Sequence, residues 1–203
     1  MPLFRSKAED KVRAAGFDPA RLPPGQYLTE KWPVLHAGDV AHVDLATWRL
    51  RIFGEVEEEV TLDYEQLRAL PATEITTDIH CVTRWSRFDA GFRGVHWREL
   101  AKLVKPKPRA RFVVAHAEQD FTSNVPLEAL EDDNALIAYE ADGEPLEHEH
   151  GWPVRLVIPT KYFWKSAKWL RGLELLDHDE PGFWERYGYH NDADYWREER
   201  YSF

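Results

Sequence analysis

One cysteine, Cys81, and one methionine are all the sulfur in the 203-residue chain. A lone cysteine excludes an intramolecular disulfide, every zinc site built on two or more thiolates, and any cysteine-ligated iron–sulfur cluster. Long apolar runs are also missing: no window approaches 18 consecutive apolar residues, so no membrane span is expected. The first thirty residues hold neither an apolar signal core nor a twin arginine, which predicts a soluble protein, cytoplasmic or a mature exported form without its leader. Positive charge is in deficit. Lys and Arg number 26 against 36 Asp and Glu, a net charge of −10, which argues against bulk binding of nucleic acid or anionic membrane. The chain carries no Walker A loop, G-x-G-x-x-G, H-E-x-x-H or G-x-S-x-G.

Aromatic residues, by contrast, are plentiful, with 9 Trp, 8 Tyr and 10 Phe. Together with 43% apolar and 31% charged residues they indicate a globular chain with a substantial core. The acid excess is uneven. Segment 151–171 carries Arg155, Lys161, Lys165, Lys168 and Arg171 and no carboxylate. Segment 79–98 carries Arg84, Arg87, Arg93 and Arg98 against Asp89 alone. Two local positive fields rich in Trp and Gly suit a bound anion such as phosphate. Two solvated basic faces are the plainer reading of each window taken singly.

Hydrophobic periodicity predicts a helix over 3–16 and a proline-rich loop over 19–25. Strands are expected over 48–56, 57–62, 75–81, 111–115, 135–139, 154–158 and 168–176. Asp63 suits the N-cap of a short helix over 64–70, a further helix spans 97–104, and Pro126 opens a helical turn. Short strands broken by single helices, without regular βαβ alternation, predict an α+β fold with mixed sheets. His148 and His150 read best as a polar turn, because a metal site would need a third ligand. Residues 177–203 hold eight aromatic rings, and such a segment is expected to pack on the body and bury them.

Cys81 sits in ITTDIHCVTRWSRFDAGFRGVHWREL, at the end of an expected strand, with Arg84 and Arg87 close behind. Cationic neighbours favour thiolate, and a thiolate is a soft ligand for a transition metal. One thiolate suffices only where an organic cofactor brings the remaining donors and an anionic handle. The run HCVTRWS, with its following Gly-x-x-Trp segment and helix, resembles the cysteine loop of the sulfite-oxidase-like molybdopterin oxidoreductases. Upstream, WPVLHAGDVAHVDLATWRLRIFGEVEEEVTLDYEQLRALP is similar to that family's opening segment and first strands. Downstream, HGWPVRLVIPTKYFWKSAKWLRGLEL is similar to its Gly-x-Pro-x-Arg-Leu-x-x-Pro stretch and Lys-Trp strand. The ordered resemblance covers about residues 28–176, and the tail GFWERYGYHNDADYWREERYSF resembles the end of small single-domain members.

The resemblance implies a sulfite-oxidase molybdopterin-domain-like fold over 1–203, with an arm at 1–26 and the aromatic tail at 177–203. It implies molybdenum held by a pterin dithiolene, with Cys81 as the protein ligand. Its matching cofactor-binding positions are His150, Arg155, Ser166, Ala167 and Lys168. Contacts of the opening segment fall at Val34, Leu35 and His36, and a backbone contact falls near His116 or Ala117. Arg84, Trp85 and His116 are the expected walls or proton-handling groups on the substrate side. Sulfite oxidases proper carry adjacent arginines in the cysteine loop, whereas Arg84 is followed here by Trp85; small sulfoxide reductases have Asn where His150 stands. Substrate identity is therefore not carried over. The expected activity is oxygen-atom transfer on a small substrate of the sulfite or sulfoxide class, served by a separate haem, flavin or quinone-linked electron carrier. The alternative is an anion-binding or redox-sensing protein with Cys81 as a free reactive thiol.

Overall fold

Strands set by the apolar runs build two mixed β-sheets. The structure is a computed structural model and describes residues 7–203. Its strands are β1 (Tyr27–Leu28), β2 (Leu50–Gly54), β3 (Val60–Leu62), β4 (Ala72–His80), β5 (Trp85–His96), β6 (Phe112–Ala117), β7 (Thr122–Pro126), β8 (Leu136–Ala141), β9 (Glu144–Pro145), β10 (Arg155–Val157) and β11 (Leu170–Leu176). Short helices punctuate them: α1 (Lys7–Ala14), α2 (Tyr64–Arg68), α3 (Trp97–Val104), α4 (Leu127–Glu131) and α5 (Phe183–Arg186). The architecture is α+β with mixed sheets, as the sequence predicts. The outer part of the expected first helix, with Leu3 and Phe4, lies outside the described residues.

In the first sheet the order is β1-β5-β8-β10, with β4 also on β5 and β9 on β8. The second runs β3-β2-β11-β6-β7. Strand β8 shows why 135–139 reads as a continuous apolar run. Ile137 and Tyr139 face a core shared with Trp48, Leu100 and Leu173, while Leu136 and Ala138 face a second cluster with Ile79, Cys81, Trp85 and Phe163. A sheet covered on both faces loses the hydrophobic–polar alternation.

The sequence missed β5, a strand of twelve residues. Its arginines suggested a basic field, but cross-strand carboxylates neutralise them. Arg87 meets Asp142 at 2.5 Å, and Arg93 lies 3.6 Å from both Glu74 and Glu140. Just beyond the strand, Arg98 meets Asp133 at 2.9 Å. The positive field expected over 79–98 is thus cancelled by pairing that only the sheet register brings about.

The C-terminal segment packs on the loop between β10 and β11 and on β7, where Asn124 Nδ2 donates to Asp179 at 2.7 Å and Arg186 donates to Thr122 Oγ1 at 3.1 Å. Tyr162 N donates to the Ala193 carbonyl at 2.8 Å, and buried Lys165 pairs with Glu185 of α5 at 2.6 Å. Its eight rings are not buried as expected. Tyr187, Trp196, Tyr201 and Phe203 are exposed, and Phe183, Trp184, Tyr189 and Tyr195 are partly covered.

Candidate cofactor and metal site

Cys81 opens the tight turn from β4 to β5. Arg84 N donates to the Cys81 carbonyl at 2.9 Å, and Cys81 N donates to the Trp85 carbonyl at 2.9 Å. Arg84 takes a left-handed conformation there, with φ of 78°. The turn leaves Cys81 8% exposed, with Sγ 3.1 Å from Thr83 Oγ1. Sγ borders a cavity of about 310 Å³. The cavity is walled by 32–33 and 35–37, by Cys81, Val82, Thr83 and Trp85 of the cysteine turn, by Glu118, Gln119 and Phe121, by residues between 150 and 169, and by the tail.

Burial pushes the Cys81 thiol up from its ordinary value, and the Thr83 hydroxyl acts against it. Arg200 is the nearby cation that favours thiolate, in place of Arg84 and Arg87. Arg87 is spent on Asp142. Arg84 points away from the cavity toward Gly25, where a Cβ would lie 3.3 Å from both Arg84 Nη1 and Arg200 Nη2.

The same cavity is lined by Arg155 and Lys168. Of the nine cations in the two basic windows, six pair with carboxylates: Arg87, Arg93, Arg98, Lys161, Lys165 and Arg171. Arg155 and Lys168 form no ion pair among the described residues, and both line the cavity. Arg155 is 2% exposed and donates only to backbone carbonyls: His150 at 2.8 Å, Ser166 at 3.0 Å and Leu156 at 3.3 Å. Its guanidinium lies 4.4 Å from the Phe163 ring centre. Lys168 Nζ donates to the carbonyls of Leu35 and Glu149 at 2.8 and 2.9 Å. Burial, reinforced by the charge of Arg155, pushes the Lys168 ammonium down to about 7. Gly151 makes the pairing possible. Its φ is +110°, and a Cβ there would lie 3.0 Å from Lys168 Cβ and 3.1 Å from Arg155 Cβ.

Leu35, His36, Trp85, His150, Ser166 and Ala167 also line the cavity. His150 stacks on Trp32 at 4.0 Å, and its Nδ1 is 3.0 Å from Glu147 Oε2. Burial holds its imidazole below the ordinary value. Ser166 Oγ accepts from Ile158 N at 2.9 Å and keeps its own proton to donate.

Four expected positions fall outside the wall. Val34 is 40% exposed beside it. Ala117 donates its N–H to the Phe121 carbonyl at 2.9 Å, and the next two residues, Glu118 and Gln119, reach the cavity instead. His116 projects to the opposite side of β6, where Nε2 meets Glu174 at 2.8 Å; a strand alternates its side chains, so one register step removes it from the site. Arg84 is turned away as described.

The sequence reading missed Trp32, Thr83, Trp164 and Trp169, and the tail rings Phe183, Trp184 and Tyr189. Thr83, two residues past the thiol, was legible by position. The tail carried a signal in its ring density, but ring density alone reads as packing. Burial holds the Tyr189 phenol above its ordinary value, with added repulsion from Tyr201 and Cys81, and Tyr189 lines the same cavity as the thiol.

Among the described residues no cluster of three or more His, Cys, Asp or Glu could hold a metal alone. A metal at Sγ therefore needs donors from a ligand. The cavity offers such a ligand one soft donor and two uncompensated cations. That arrangement fits a dithiolene-bearing pterin with a phosphate.

Comparison with known proteins agrees. The family model described as the oxidoreductase molybdopterin binding domain matches residues 37–184. The chain is 45% identical over 183 residues to the uncharacterized oxidoreductase YuiH of Bacillus subtilis (strain 168), across 90% of this chain and 92% of that one. It is 33% identical over 157 residues to the protein-methionine-sulfoxide reductase catalytic subunit MsrP of Gluconobacter oxydans (strain 621H), across 68% of this chain and 50% of MsrP. Among solved structures, the sulfane dehydrogenase SoxCD from Paracoccus pantotrophus aligns with a TM-score of 0.66 at 24% identity, over 75% of this chain and 43% of that one, a likeness of fold.

Proposed function

The chain belongs to the molybdopterin-binding oxidoreductases, and from that premise we propose that it transfers an oxygen atom to or from a small substrate at a molybdenum ion ligated by Cys81. The observation that carries this reading is the pair of uncompensated cations, Arg155 and Lys168, sharing one cavity with the only thiol. When bound, the molybdenum–pterin group supplies two-electron oxygen-atom transfer.

This chain's residues bind and shield. Arg155 and Lys168 would hold the pterin phosphate, and Leu35, His36, His150, Ser166 and Ala167 would contact the rest of the group. Thr83 donates to the Cys81 sulfur and moderates its basicity. Trp85, buried on the cavity wall, closes the turn by accepting from Cys81 N at 2.9 Å.

Five tail and loop aromatics, Phe121, Trp164, Phe183, Trp184 and Tyr189, also line the cavity, and its two unpaired cations are assigned to the phosphate. This supports a neutral substrate with an apolar group, such as a sulfoxide, over an inorganic oxyanion. A lone cysteine leaves no thiols for an iron–sulfur relay, which supports a separate haem, flavin or quinone-linked electron carrier. A redox-sensing thiol would be an exposed, low-pKa thiolate, and the buried, raised thiol of Cys81 speaks against it.

The test is elemental analysis of protein made in a molybdopterin-competent host. About one molybdenum per chain is expected, with a visible absorption band that Cys81→Ser abolishes. Purified protein without molybdenum would overturn the reading.

A further inference from the structure

Both ends of the chain grip the cysteine turn from behind. On one side Gln26 Nε2 donates to the Cys81 carbonyl at 3.0 Å, and Tyr27 N donates to the Arg84 carbonyl at 2.8 Å. On the other side stands Arg200, 118 residues from the turn in sequence and 6% exposed. Its Nη1 donates to the Val82 carbonyl at 2.6 Å, and its Nη2 reaches the Pro24 carbonyl at 3.4 Å. The guanidinium lies 4.9 Å over the Tyr162 ring. Its acidic neighbour, Glu198, is 3.8 Å away with its side chain 48% exposed. A Cβ at Gly25 would lie 2.5 Å from Glu198 Oε1, so this glycine, at φ +69°, admits the tail against the arm.

We propose that Arg200 is a positioning residue of the metal site: it ties the C-terminal segment to the carbonyl next to Cys81, fixes the direction of Sγ into the cavity, and sets a buried positive charge behind the ligand sulfur. The inference rests on Cys81 as the metal ligand. Two features separate it from ordinary packing. The short Nη1 bond goes to the turn itself, not to the body of the sheet. And because Arg200 donates to carbonyls, with its acid at the solvent edge, its charge is largely uncancelled where the dielectric is low. Such a charge favours the more electron-rich state of a centre bound through Sγ.

The test compares Arg200→Gln and Arg200→Lys with Arg197→Gln, whose parent side chain is 70% exposed. In metal-free protein, amide hydrogen exchange is read at Cys81 and Arg84, with β11 amides as the internal reference. Loss of a charge-assisted bond to a buried carbonyl predicts about tenfold faster exchange in the turn for Arg200→Gln. Arg200→Lys should restore part of the protection, and Arg197→Gln should match the parent. In loaded protein the midpoint potential of the molybdenum signal should fall in Arg200→Gln and stay near the parent value in Arg200→Lys, which keeps the charge. Parent-like turn exchange and midpoint in Arg200→Gln would overturn the inference. If Arg200→Gln does not fold, Arg200→Lys decides: looser turn amides at an unshifted midpoint support it, and parent-like exchange overturns it. A parent protein that takes up no molybdenum fails the metal reading instead, a separate outcome.

Discussion

Lys168 shows what burial without a counter-charge does to a single residue. Its ammonium sits near 7 because it is half-buried beside Arg155 and bonded only to carbonyls. A phosphate drawn to it raises that value again, so binding takes up a proton. Affinity of metal-free protein for pyrophosphate, a probe of the phosphate subsite, should fall as pH rises above about 7, by up to about tenfold per pH unit. Calorimetry in two buffers of different ionisation heat reads the proton uptake, and Lys168→Arg should flatten the profile. The sign for folding is opposite. A lysine whose folded value is depressed destabilises the anion-free fold at and below about 7, and that penalty fades as pH rises toward the ordinary lysine range. Lys168 was legible in the sequence as one cation of a carboxylate-free stretch. That it stays unpaired was not, because Lys161, Lys165 and Arg171 of the same stretch find Asp192, Glu185 and Glu118 from distant segments.

Elements were legible where local chemistry forces them. Asp63 caps α2 through Gln66 N at 2.8 Å, and Gln66 returns the bond to Asp63 N at 2.9 Å. Asp63→Ala should cost about 1 kcal/mol in urea unfolding. Helix α3 formed over 97–104 as expected; of the two leucines expected on its apolar face Leu100 is buried and Leu103 partly so, with Trp97 and Val104 completing the face. Strand β5 was overlooked although it alternates: Phe88, Ala90 and Phe92 are buried between the more exposed Arg87, Asp89, Gly91 and Arg93, a period-two pattern masked by its charges and glycines, and β4, β8 and β1 bond to it. The join between α5 and the body depends on a buried charge pair, Lys165 with Glu185, whose side chains are 1% and 2% exposed. Lys165 also donates to Asn124 Oδ1 at 2.9 Å. Lys165→Met should cost about 3–5 kcal/mol by stranding the carboxylate, while Lys165→Met with Glu185→Leu should recover much of it. Equal losses in the single and double variants would refute that account.

At the scale of the whole molecule, the cavity exists because five separated stretches of chain meet there. The opening segment, the cysteine turn and the tail come from opposite ends of the sequence and contribute Leu35, Cys81 and Trp184 to one wall. An aromatic wall supplied by the tail should tune substrate choice more than cofactor retention. Trp184→Ala is expected to raise KM for a bulky apolar sulfoxide several-fold and leave molybdenum content unchanged. Equal kinetics with bulky and small sulfoxides in parent and variant would show that the wall does not touch substrate.

The sequence alone determined the fold class, the candidate thiol and the carboxylate-free stretch proposed to hold an anion. Each is a local property: apolar periodicity, a single cysteine, a run of 21 residues without carboxylate. Tertiary structure decided which cations stay unpaired, which side His116 and Arg84 face, and that the tail reaches the thiol. Those outcomes depend on strand register and on charges brought together across more than a hundred residues, as with Arg200 and Val82, and no window of sequence contains both partners.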